Sequence, residues 1–141
     1  MGKILAIDYG ERRIGIAISD ENQRMALPIK TILAEKSLEQ TAKKVLTELS
    51  DRKPELEKIV LGFPLLMNGK ESPMCLQVRQ FQSFLIKLFE IPVELFDERL
   101  TSKAMETSLK EIKVSRKKRQ KTLDSLSASL VLQNYLDTLQ V

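Results

Sequence analysis

Three acidic residues stand where a side chain could do chemistry. Asp8 ends the apolar run "ILAI" that opens the chain. Glu98 follows Asp97 at the end of "VELF". Asp124 sits ahead of the small-residue series Ser125, Ser127, Ala128 and Ser129. A carboxylate at the end of a buried strand is costly unless it is paired or faces a cation. In open α/β sheets, sites gather at the carboxyl ends of parallel strands, and Asp8 and Glu98 both occupy strand ends. Each acid also has an ordinary alternative. Asp8 could cap its turn, Glu98 could pair with Arg99 on the surface, and Asp124 could favour a helix N-terminus.

The chain has no histidine and one cysteine, Cys75. That excludes Ser-His-Asp triads, His-containing zinc sites, thiolate metal clusters and an intrachain disulfide. Cys75 reads as a small apolar filler on a helix. A cluster of carboxylates without histidine is a hard oxygen site, suited to Mg²⁺ or Mn²⁺. Two such ions roughly 3.5–4 Å apart can activate water and stabilise the leaving oxygen of a phosphodiester.

The cations point to phosphate. "KVSRKKRQK" places Lys113, Arg116, Lys117, Lys118, Arg119 and Lys121 in one short stretch that leads into the segment bearing Asp124. Such a run is either a solvated face or a phosphate-contacting one. Arg12 and Arg13, in the turn "GERR" just past Asp8, admit the same two readings. The net charge of +4 suits an anionic partner. Aromatic residues do not interleave with the cations, so a base-stacking platform has little support. Tyr9 is expected to pack rather than react.

These residues need a scaffold. At 141 residues the chain is the size of one domain, taken here as residues 1–141. Lys3–Ile7 reads as a buried strand. Arg13–Ser19 alternates Ile14, Ile16 and Ile18 against Gly15 and Ala17, the strand period, and the short connection between the two predicts an antiparallel hairpin. Ala26–Leu33 is expected as a third strand, with Pro28 marking an edge or bulge. Ser37–Ser50 has a helical stripe with Ser37 as N-cap. Lys58–Phe63 reads as a strand buried on both faces, and Asn68-Gly69 as a turn. A helix is predicted from Pro73 on, carrying Met74, Val78, Phe81, Leu85 and Leu88 inward. Pro92–Phe96 is a strand, Thr101–Ile112 a helix, Lys113–Lys121 a basic connection and Thr122–Leu139 the last helix. This order gives an α/β domain with a mixed sheet. The opening apolar run is too short for a signal peptide or a membrane span, which makes the cytoplasm the expected location.

The stretches "AIDYGERRIGIAISD", "VLGFPLLMNGKES", "VELFDERLTS" and "VSRKKRQKTLDSLSASLVLQNYLD" together resemble the YqgF/RuvX family. Its members are described as Holliday junction resolvase-like and as pre-16S rRNA nucleases. The resemblance spans nearly the whole chain. It implies an RNase H-like fold: a central five-stranded mixed sheet, its first three strands antiparallel, flanked by helices. It also implies a two-metal phosphodiesterase site. The family's first-strand acid falls on Asp8, the acid of its D-E-R-L-T motif on Glu98, and the acid opening its last helix on Asp124. Gly10, Arg12, Gly15, Asp20, Arg99 and Thr101 also match motif positions. One stretch departs: where the family usually has "GLPLNMDG", this chain has "GFPLLMNG", with Leu66 for an asparagine and Asn68 for an acid.

The expectation is therefore a metal-dependent hydrolase of structured RNA, trimming the 5′ end of pre-16S rRNA in ribosome biogenesis. Asp8, Glu98 and Asp124 are the candidate catalytic residues and the candidate ligands of two Mg²⁺ or Mn²⁺ ions. Arg12, Arg13, Arg99, Arg116, Lys117, Lys118, Arg119 and Lys121 are the candidate nucleic-acid contacts. The alternatives are a resolvase of four-way DNA junctions and a catalytically weak nucleic-acid-binding factor. No membrane partner is expected, and the chain is expected to be a monomer or weak homodimer.

Overall fold

The computed structural model describes residues 2–98 and 116–140, and the side chains of the second segment from residue 125 onward. The first 98 residues alternate strands and helices: β1 (Lys3–Asp8), β2 (Arg13–Ser19), β3 (Ala26–Leu33), α1 (Leu38–Glu48), β4 (Leu56–Phe63), α2 (Cys75–Phe89) and β5 (Val93–Asp97). A 3-10 turn, Lys53–Glu55, precedes β4. A long helix, α3 (Arg116–Leu139), follows.

The five strands form one sheet in the order β3-β2-β1-β4-β5. The pairs β1–β2 and β2–β3 are antiparallel, while β1, β4 and β5 are mutually parallel. Pro28 lies on the edge strand β3, and the β2–β3 register slips beside it, between Ile16 and Ala17. Both roles anticipated for this proline are met, because its missing N–H is tolerated only at an edge or bulge.

Side-chain alternation divides the core into two layers. Leu5, Ile7, Ile14, Ile16, Ile18, Ile59 and Leu61 pack with Val45, Val78, Phe81 and Leu85 of α1 and α2. The opposite sheet face presents Ile4, Ala6, Ala17 and Val60 to Ala128, Val131, Leu132, Tyr135 and Leu136 of α3. Alanines on both sides let α3 lie close to β1 and β2. Strands β1 and β4 are thus covered on both faces, which is why their sequences read as unbroken apolar runs.

Local signals fix the element ends. Ser37 caps α1, its Oγ accepting from Gln40 N at 3.1 Å. Helix α2 ends at Glu90, in the left-handed region with φ 57°. Cys75 is buried at the start of α2. Some boundaries differ from the sequence reading. β4 begins at Leu56, β5 is Val93–Asp97, and α2 begins at Cys75 rather than Pro73. The larger correction concerns α3. Arg116–Lys121 is its opening rather than a connection, so Asp124 lies two turns inside the helix instead of in its first turn. Arg, Lys and Gln are good helix formers, and no Gly or Pro stops the helix from extending backward. The helix expected over Thr101–Ile112, with Lys113, lies outside the described residues.

Close packing of α3 on the sheet gives a direct test. Ala128 is fully buried between that helix and the strands. Ala128→Leu is expected to cost about 1–3 kcal/mol through overpacking, read as a lower denaturant midpoint. An unchanged midpoint would contradict the packing.

Candidate active site

The site is built by three adjacent strand ends. β1 and β4 pair in parallel up to Ile7 and Leu61, and β4 and β5 up to Phe63 and Asp97. Asp8, Gly62 and Glu98 therefore come together at one edge of the sheet. Strand alternation also puts them on one face. Ile4 and Ala6 face α3, so Asp8 does; Val60 faces α3, so position 62 does; Phe96 packs on the same layer, and Glu98 follows it by two. Glu98 N donates to Phe63 O at 3.4 Å, tying the residue after β5 back to the end of β4.

Gly62 makes room for the pair. A Cβ built there would overlap the Glu98 carboxyl and lie 3.7 Å from Asp8 Oδ1. The sequence reading assigned Gly62 no role. A glycine inside a buried strand is a signal of close approach, and here the approaching group is a carboxyl.

Asp8 and Glu98 are both half-buried and hydrogen-bonded to each other. Burial, the Asp8 charge and that hydrogen bond push the Glu98 pKa up to about 9, with Asp97 and Cys75 adding smaller contributions. At neutral pH the pair holds one proton: Glu98 donates it and Asp8 accepts. Two carboxylates this close do not both ionise without a nearby cation.

The other sequence-predicted residues are placed as follows. Asp124 lies on α3, four residues before Ala128 and so in helical register with the sheet-facing positions; its side chain lies outside the described residues. So do Arg99, Thr101 and the side chains of Arg116, Lys117, Lys118, Arg119 and Lys121. Arg12 is exposed, and its carbonyl accepts from Ala34 N at 2.9 Å. Arg13 is half-buried at the start of β2. Among the described residues no three His, Cys, Asp or Glu side chains gather as a metal site; Asp8 and Glu98 make a pair.

Several motif residues serve the scaffold. Asp20 Oδ1 accepts from Arg24 N at 2.8 Å and Met25 N at 3.1 Å, which lowers its pKa and closes the β2–β3 link. A Cβ on Gly10 would lie 2.5 Å from Arg13 O, so the turn after β1 requires glycine. Tyr9 packs on Phe81 with ring centroids 5.0 Å apart, as expected. In the departing loop, Asn68 Oδ1 accepts from Lys70 N at 2.9 Å and Gly69 has φ 85°. Asn68 thus does turn work that an aspartate could also do. Leu66, at 44% exposure, projects from that turn.

The RuvX family, described as Holliday junction resolvase, matches residues 2–138. The chain belongs to the RuvX family. Its relatives include the protein named "Putative pre-16S rRNA nuclease" of Protochlamydia amoebophila strain UWE25. That protein is 45% identical over 140 residues, which cover 96% of this chain and 93% of the relative. A protein of the same name in Chloroflexus aggregans is 41% identical over 137 residues, covering 95% and 92%. Among solved structures, T. thermophilus RuvC in complex with a Holliday junction substrate has a TM-score of 0.58 at 12% identity, covering 99% of this chain and 96% of RuvC. The shared fold is the RNase H-like one expected from the RuvX motifs. No helix among the described residues is long and apolar enough to cross a membrane.

The raised Glu98 pKa has a measurable consequence. Between the ordinary carboxylate pKa and about 9, the folded state binds more protons than the unfolded state. Metal-free stability should therefore fall as pH rises through that window. Glu98→Gln should flatten this slope and raise the melting temperature at pH 8 in chelator. A slope that persists in the variant would contradict the assignment. Gly62→Ala should leave the chain folded but displace Glu98 from Asp8 and so flatten the same slope; an unchanged slope would contradict the close approach.

Proposed function

We propose that this RuvX-family chain is a metal-dependent nuclease that hydrolyses phosphodiester bonds in structured RNA, trimming the 5′ end of pre-16S rRNA. The observation that carries the reading is the Asp8–Glu98 pair over Gly62: two half-buried carboxyls forced to share a proton. Such an arrangement costs stability and is relieved by a cation. The donor set is all oxygen, which fits Mg²⁺ or Mn²⁺. The names carried by the relatives supply the substrate.

Asp8 and Glu98 would hold the metal, with Asp124 as the third carboxylate brought by α3. When bound, a pair of divalent ions supplies Lewis-acid stabilisation of the charge that develops as the phosphodiester is cleaved. The protein's own part is to position and to neutralise. Glu98 must release its proton for both carboxylates to act as ligands. Arg116, Lys117, Lys118, Arg119 and Lys121, along the opening turns of α3, would hold backbone phosphates, with Arg12 and Arg13 past the end of β1 and Arg99 as a further candidate. Contacts of this kind give salt-dependent binding with little sequence preference.

The same site could cut four-way DNA junctions, a reading favoured by the family's description and by the fold shared with RuvC. The two separate on substrate: a resolvase would prefer junctions over precursor rRNA and act as a dimer.

The test is cleavage of precursor 16S rRNA with Mg²⁺. Asp8→Asn should lower turnover by at least about a hundredfold while leaving RNA affinity nearly unchanged. Equal rates that resist a chelator would overturn the proposal. Turnover should also rise with pH as Glu98 loses its proton, and the midpoint should move down as metal concentration increases.

A further inference from the structure

Across the sheet edge from the carboxylates lies a second feature that the nuclease reading leaves unused. A cleft of about 320 Å³ opens where the end of β1 meets the N-terminal turns of α1 and α2. Its volume is at the lower end of the ~300–1,000 Å³ of small-ligand sites, enough for one base rather than a base pair. Its chemistry is unlike that of a phosphate site. Glu11 and Glu35 line it with carboxylates, and Gln77 and Gln80 with amides. Lys36 is its one cationic lining residue, and Lys44 pairs with Glu35 from outside at 3.2 Å.

One wall is Tyr9, the residue after Asp8, held by its contact with Phe81. The Ser37 and Thr41 hydroxyls are already engaged. Ser37 accepts from Gln40 N, and Thr41 accepts from Glu35 N at 2.9 Å while donating to Ser37 O at 2.8 Å. That leaves the Gln77 and Gln80 amides, the Glu11 carboxylate, the Lys36 ammonium and the Tyr9 hydroxyl as polar groups for an occupant, with Glu35 shared with Lys44. The bond from Ala34 N to Arg12 O sets the exposed Arg12 at the rim, since Ala34 itself lines the cleft.

We infer that this cleft takes one unstacked nucleobase of the substrate strand, from a nucleotide near the scissile phosphate. Resting on the nuclease reading, it gives that site a way to choose where it cuts. The strand crosses the carboxyl edge of the sheet beside β1. A phosphate engages the Asp8 side, Arg12 contacts a neighbouring phosphate, and the base between them turns into the cleft against Tyr9. Carboxylates accept from base amino groups and amides read base edges. The occupant is a base whose exocyclic amino group meets the Glu11 carboxylate.

The test uses the full chain and RNA in which each of the three nucleotides on either side of the mapped cut is made abasic in turn. In wild type, one abasic position should lower kcat/KM about tenfold. The double variant Gln77→Ala/Gln80→Ala should be about tenfold slower on intact RNA and indifferent to that same position. If no abasic position affects wild type, or if the variant loses as much again, the inference is overturned. A second readout does not need turnover. In ¹⁵N-labelled wild type, cytidine monophosphate should shift the Gln77 and Gln80 side-chain amide signals, and ribose 5-phosphate should not. Equal shifts from both would overturn the pocket. Shifts from the nucleotide alone, in a protein that cuts no RNA, would leave the pocket standing and overturn the nuclease reading.

Discussion

The structure turns on the repulsion between two carboxyls. Asp8 and Glu98 are brought together by the ends of β1 and β5, the parallel strands that flank β4, and are held in partial burial. Proteins rarely keep such a pair without a purpose, because burying like charges raises a pKa and lowers stability. Gly62 leaves the room for that approach, since a Cβ there would overlap the Glu98 carboxyl. A cation is the simplest relief, and an all-oxygen, histidine-free donor set is suited to a hard one.

The remainder of the fold serves this edge. One face of the sheet is closed by α1 and α2 over large aliphatic and aromatic side chains. The other is closed by α3 over Ile4, Ala6, Ala17 and Val60, mostly smaller side chains. The carboxylates lie on this side, and α3 extends back past the sheet as far as Arg116. The helix that completes the core is therefore the one that carries the basic series. Its position follows from the small residues at Ala6, Ala17 and Ala128.

Much of this was legible in the chain. The alternation of Ile14, Ile16 and Ile18 gave β2 its bounds, and the turn chemistry of Ser37 and Asn68-Gly69 gave the start of α1 and the loop after β4. Asp8 and Glu98 could be proposed from their positions at strand ends. What sequence alone could not give was their meeting, which depends on strand order and register. Gly62 went unassigned for the same reason: its partner is thirty-six residues away along the chain. The start of α3 was misjudged because a dense run of cations looks like a solvated connection. The helix propensity of Arg and Lys prevails there, with no Gly or Pro to interrupt it. The cleft beside Tyr9 had no signal, since its walls come from three separate elements.

On the proposed reading, Asp8 and Glu98 hold a divalent cation. Crystals soaked in Mn²⁺ and measured at the manganese absorption edge test it most directly. The account predicts an anomalous peak within coordination distance of both carboxylates, with Asp124 as a further ligand, and loss of that peak in Asp8→Asn. Full Mn²⁺ occupancy elsewhere, with the Asp8–Glu98 hydrogen bond intact, would contradict it.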